Sequence, residues 1–142
     1  MKPYIKITLF IVLVVALITI LTALIEFNKR HADIAKVRPD FVITATTLQK
    51  EFEDNETAAS ARYINKIIEV SGIIANTALS DSAHLNISLK TGSDISSVNC
   101  VFPATGDLSK FKPGDEVILR GECSGFLMDV LLKNCAIITK RN

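Results

Sequence analysis

"FKPGDEVILRGECSGFLMDVLLKNCAII", residues 111–138, holds two runs of alternating aliphatic residues around a short glycine-containing join. In the first run Val117, Leu119, Gly121 and Cys123 fall on one side. The second, "MDVLLKNCAII" (128–138), is again rich in Val, Leu and Ile. A period of two in such residues predicts strands, and Gly125-Phe126 predicts the turn of a hairpin. Lys112-Pro113-Gly114-Asp115 sits just ahead, with Pro and Gly at the positions a type II turn prefers.

The same period extends backwards. "HLNISLK" (84–90) puts Leu85, Ile87 and Leu89 inside and His84, Asn86, Ser88 and Lys90 outside. "SSVNCVF" (96–102) does so with Val98, Cys100 and Phe102, and "KIIEVSGIIA" (66–75) with Ile68, Val70, Gly72 and Ile74. "DLSKF" (107–111) suits one helical turn between the third and fourth runs. Strand, strand, strand, short helix, strand, strand is the order of a five-stranded OB barrel. Gly72 and Gly121 lie inside strand patterns, where glycine serves a bulge, a bend or a close contact.

Upstream, "ITATTLQKEFEDNETAASARYI" (43–64) predicts a kinked helix or two short ones. Thr44, Thr46 or Thr47 can cap it, Leu48 and Phe52 share a face, and Asp54-Asn55 marks a break. The expected class is therefore an all-β barrel, α+β by content, preceded by a kinked helix.

"ITLFIVLVVALITILTALI", Ile7–Ile25, has no charge, Gly or Pro. As a helix it spans about 28 Å, close to a hydrocarbon core. The run is longer than a typical signal-peptide core, and no small-x-small site follows it in "EFNKRHADIAK". The expectation is an uncleaved, single-pass membrane anchor over residues 1–27. A juxtamembrane linker (28–42) and a helix-plus-barrel domain (43–140) follow.

The net charge of +1 conceals a split. Residues 1–38 hold six Lys/Arg against two Asp/Glu, and residues 39–142 hold ten against thirteen. The basic residues flank the apolar segment, where anionic headgroups attract them. The slightly acidic remainder argues against general nucleic-acid binding, which rests on phosphate neutralisation. A positive-inside count leans towards a cytoplasmic domain.

From Thr44 to Ile138 the chain resembles the tRNA_anti-like family of bacterial OB-fold proteins. The resemblance is carried by "ITATTLQKEFEDNETAASARY", "KIIEVSGII", "VNCVF" and, most specifically, residues 111–138. It implies an OB barrel with a leading helix, often on a lipoprotein signal or membrane anchor, and hence a domain outside the cytoplasm. It implies no activity.

Three cysteines and two histidines offer little to a metal. Cys123 and Cys135 are too far apart in sequence for a zinc pair, and there is no Cys-x-x-Cys. With the turn at Gly125-Phe126 those two would lie about 23 Å apart along the hairpin, too far for a bridge. In an OB barrel the third and fifth strands are neighbours, so Cys100 can meet Cys135. A disulfide and three small core side chains both remain open for Cys100, Cys123 and Cys135.

No nucleophile motif, phosphate loop or cofactor signature is present, so the sequence predicts neither an enzyme nor a bound cofactor. Asp115-Glu116 reads as a solvated turn, because adjacent strand residues face opposite ways. OB domains bind through the second and third strands and the loops beside them. Here that face offers Asn86, Ser88, Lys90 and Asn99, and the 4–5 loop offers Phe126. Phe126 is either a stacking platform or a plug over the barrel end. Asn86, Lys90, Asn99, Arg120, Phe126 and Lys133 are the candidate ligand residues. The first expectation is a membrane-anchored, non-catalytic module for an envelope protein or glycan. The alternative is a single-stranded nucleic-acid binder using Lys90, Arg120, Lys133 and Phe126.

Overall fold

Alternation of buried and exposed side chains dictates where the barrel begins. In the computed structural model, which describes residues 3–31, 34–79, 84–103 and 110–141, the period-two segments all become strands. Side chains of residues 3, 5, 6 and 25–31 lie outside the description, as do residues 107–109 of the expected helical turn. The chain forms two units, Met1–Ala32 and Asp33–Asn142.

The first unit is helix α1, Pro3–His31. Its window Ile7–Leu24 has a mean hydropathy of 3.0 and no buried residue, so it is long and apolar enough to cross a membrane. The hydroxyls of Thr8, Thr19 and Thr22 donate back to the carbonyls of Tyr4, Ala16 and Thr19. These polar groups are thereby satisfied within the helix, as an apolar medium requires.

The second unit starts with a short strand β1 (Phe41–Thr44), then helices α2 (Ala45–Asp54) and α3 (Glu56–Tyr63). Strands β2 (Ile67–Leu79), β3 (Leu85–Lys90), β4 (Ser97–Phe102), β5 (Glu116–Leu127) and β6 (Asp129–Arg141) follow. The sheet runs β1-β2-β3-β4-β6-β5, and β2 also pairs with β5, closing a five-stranded OB barrel. Strand β1 lies parallel to β2 outside that circuit, from Phe41 opposite Ile68 to Thr44 opposite Ser71. Four residues are too few to show a period, so nothing in the sequence announced it. Asp40 sets its register: the Ile67 N–H donates to the carboxylate at 2.8 Å, and the Asp40 N–H to the Ile67 carbonyl at 2.8 Å.

Thr44 caps α2, its hydroxyl accepting the Thr47 N–H, and Asn55 both ends α2 and caps α3 through the Ala58 N–H. One face of α2, bearing Ala45, Leu48 and Phe52, is buried against the barrel with Tyr63 of α3. The barrel interior is filled by Ile68, Val70, Ile74, Ile87, Leu89, Val98, Leu119, Val130 and Leu132, each with no exposed surface.

The hairpin register departs from the sequence expectation. The turn is at Leu127-Met128-Asp129, with Leu127 opposite Asp129 and Cys123 opposite Leu132. Gly125 instead sits where the register shifts between Cys123 and Gly125, as a bulge rather than a turn. Met128 takes the positive φ, +67°, that the sequence would have assigned to a glycine. Gly121 is a close-contact glycine: a Cβ there would lie 2.5 Å from Cys135 Sγ. Strand β6 packs on the bare backbone, which lets the ribbon coil at this point.

Candidate binding face

Strands β3 and β4 turn their aliphatic residues inward and therefore present amides and hydroxyls outward. Ser88 lies opposite Asn99, Asn86 opposite Val101 and Lys90 opposite Ser97, with Asn76 and Ala78 of β2 extending the row. These groups are tied together. Ser88 donates to Asn99 Oδ1 at 2.6 Å, and Asn99 Nδ2 donates to Asp129 Oδ2 at 3.0 Å. The Asp129 carboxylate also accepts from the Ser97 N–H at 2.6 Å. Asn86 differs, because its Oδ1 is buried without a hydrogen-bond partner. Lys90 is exposed and borders a groove of about 550 Å³ with Thr46, Ser71, Ile73 and Glu116.

The other three candidates are engaged inside the unit. Arg120 is mostly buried and ion-paired with Glu69. Its guanidinium also donates to the Ala35 and Val37 carbonyls at 2.7 and 2.6 Å, fastening the segment before β1 to the barrel. Lys133 pairs with Glu122 at 3.3 Å. Phe126 stacks on Phe52 with ring centroids 5.3 Å apart and packs against the core. It is half-buried there, with one face on the core and the rest at the edge of a groove.

What the sequence reading missed is the clamp on the β5–β6 turn. Gln49 is 1% exposed on the inward face of α2. Its Nε2 donates to the Met128 carbonyl at 2.7 Å, and its Oε1 accepts the Val130 N–H at 3.3 Å. Asp129 holds the same turn from the β4 side through Ser97 and Asn99. A signal existed: Ala45, Leu48, Gln49 and Phe52 follow the i, i+3, i+4, i+7 pattern of a core-facing stripe, with one polar member.

The three cysteines are free thiols and buried. Burial pushes the Cys123 thiol up to about 11. Burial, with the Cys100 thiol beside it, pushes Cys135 well above the usual thiol range. Tyr63 is pushed up to about 12 by burial and by its bond to Glu51, 2.7 Å away. Such thiols are poor nucleophiles at neutral pH. Among the described residues no three His, Cys, Asp or Glu side chains cluster as metal ligands. His84 is exposed.

Residues 1–137 match the tRNA_anti-like family. No curated protein matches the chain. Among solved structures, a Klebsiella pneumoniae protein described as a "putative nucleic acid-binding lipoprotein" superposes with a TM-score of 0.58 at 16% identity. The match covers 68% of this chain and 91% of that one, and it shows the same fold. The Schizosaccharomyces pombe Stn1-Ten1 complex matches with a TM-score of 0.39 at 20% identity, over 50% of this chain and 57% of that one. Entamoeba histolytica asparaginyl-tRNA synthetase matches with a TM-score of 0.45 at 8% identity, over 74% of this chain and 25% of that one. Likeness at those two scores carries no weight for fold or function. The family match and the closed five-stranded barrel agree, and the chain belongs to the tRNA_anti-like family of OB-fold proteins.

Proposed function

We propose that this chain is a non-catalytic binding module, tethered to a membrane by α1, whose β3–β4 face takes a short single-stranded nucleic acid. The observation that carries it is that face itself. Asn76, Asn86, Ser88, Lys90 and Asn99 lie side by side on the surface OB domains use for extended ligands. The description of the similar Klebsiella protein as nucleic-acid-binding supports the same ligand class, and its description as a lipoprotein supports a domain outside the cytoplasm. With Phe126 stacked on Phe52 and Arg120 and Lys133 paired, binding rests on hydrogen bonds and one or two cations rather than on stacking.

The test is fluorescence anisotropy of labelled twelve-nucleotide oligo-dT with the full chain in detergent. Saturable binding should weaken only about three- to sevenfold between 50 and 200 mM salt, as one or two phosphate contacts require. Lys90→Ala should lower it further. Absence of binding at low salt sinks this ligand. A second reading, an envelope glycan or protein on the same face, is supported by the excess of acidic residues over basic ones in residues 39–142. Protease access to a C-terminal tag, in cells with a permeabilised outer membrane if there is one, tests the compartment for both readings. A tag protected from the outside overturns an external domain.

A further inference from the structure

Leu127 and Met128, at the tip of the β5–β6 turn, are 91% and 69% exposed, and Ile95 beside them is 80% exposed. Disordered tips often expose apolar residues, but this turn is held on both sides by Gln49 and Asp129. Met128 is held there at positive φ, a conformation that disfavours a bulky residue. The backbone thus fixes two large apolar side chains in solvent. A groove of about 370 Å³ opens beside Met128, with Phe126 and Ile95 as its accessible apolar lining over the buried Phe52, and Glu53 and Glu56 on its rim.

Charge tells what this place accepts. Among the described residues Glu51, Asp54, Glu69, Asp115, Glu116 and Glu122 each have a Lys or Arg within ion-pair distance. Glu53 and Glu56 are exposed and, like Asp94, make no such pair, although Glu53 accepts from Ser96 and Gln49 and acts on the charge of Lys50. An apolar groove rimmed by carboxylates without a salt-bridge partner disfavours phosphates and anionic headgroups. It suits an apolar side chain that arrives next to a cation.

We propose that the β5–β6 turn and this groove are a docking site for a protein segment that seats an apolar or aromatic side chain against Phe126, Met128 and Ile95 and sets a neighbouring Lys or Arg against Glu53 and Glu56. The turn borders the β3–β4 face through Asp129, which accepts from Ser97 and Asn99, but the groove opens on the α2 side, at Glu53 and Glu56.

The full chain in detergent is used to select from a library of displayed random twelve-residue peptides, in parallel with its Leu127→Asp and Glu56→Lys variants. Both substitutions are at exposed positions outside the core. Selected peptides should carry an aromatic or large aliphatic residue with Lys or Arg within four positions. A synthetic peptide from that set should bind at least tenfold more weakly to either variant, and at least tenfold more weakly to the native chain when its basic residues become Glu. The Glu-bearing peptide should regain affinity for Glu56→Lys. Oligo-dT should not compete with the selected peptide for the native chain, which separates this site from the sheet face. No enrichment, enrichment without basic residues, or equal binding by Leu127→Asp overturns the proposal. So does a dimer in detergent that Leu127→Asp converts to a monomer, because the occupant is then a second copy.

Discussion

Two turns of the barrel, Lys112–Asp115 before β5 and Leu127–Asp129 after it, solve one problem in opposite ways. Both reverse the chain with a residue at positive φ, Gly114 at +97° and Met128 at +67°. Both use an aspartate. Asp115 accepts the Lys112 N–H at 2.9 Å and pairs with Lys140, while Asp129 accepts the Ser97 N–H at 2.6 Å. The first turn has Lys, Pro and Gly at its apex, all solvated and suited to the geometry. The second has Leu and Met there and is clamped from the interior by a buried glutamine. Turn formation alone explains the first. It does not explain an apolar side chain displayed at an unfavourable φ in the second, which is what the proposed docking role accounts for.

Removing the clamp should have the largest effect. Gln49→Ala leaves the Val130 N–H without its acceptor inside the protein, and the cost should be about 2–3 kcal/mol. Thermal unfolding of the full chain in detergent should show a larger drop than Asp115→Ala gives. An equal or smaller drop would mean that the two turns are held alike.

The glycines sharpen the same contrast. Gly121→Ala should cost about 1–3 kcal/mol from overpacking, and Cys135→Ala in the same chain should recover part of it. Gly114 has open space around its Cα, so Gly114→Ala should cost about 1–2 kcal/mol through φ alone, with no such rescue. Recovery of Gly114→Ala by Cys135→Ala would contradict this division.

Met128→Gly reverses the logic of Gly114→Ala. Relief of the left-handed backbone should offset the loss of glycine entropy, leaving stability within about 1 kcal/mol of native or above it. Peptide docking should fall in the same variant. A strongly destabilised Met128→Gly would show that Met128 is a packing residue and not a displayed one.

The last expected effect is absent at neutral pH. Cys123 and Tyr63 have folded-state values raised to about 11 and about 12, above the unfolded values of 9.0 and 10.0. Each therefore stabilises the neutral-thiol or neutral-phenol fold fully below pH 9, and that contribution drains away as pH rises towards 11 and 12. Melting temperature should be flat from pH 7 to 8.5 and then decline, with Cys123→Ala reducing the decline. A profile unchanged by Cys123→Ala would remove the thiol from this account.

Legibility in the sequence followed how local each interaction is. Alternation along 84–90 and 96–102 is a property of one strand and could be read directly. So could the caps, since Thr44 and Asn55 bond within three residues. The sites of Arg120 and Phe126 could not. Arg120 is claimed by carbonyls 83 and 85 residues away, and Phe126 by a ring on α2. A cation and an aromatic at an OB rim look like ligand groups until the fold shows what they already touch.

By itself the chain determined the apolar helix of residues 7–25, the five strands and their order, because hydrophobic period and turn chemistry act over a few residues. Only the tertiary structure decided the hairpin register, the parallel β1, the burial of Gln49 and the clamped tip it supports. Each of those depends on contacts between segments far apart in sequence; the stripe on α2 marked Gln49 as inward-facing, but not what it would bond.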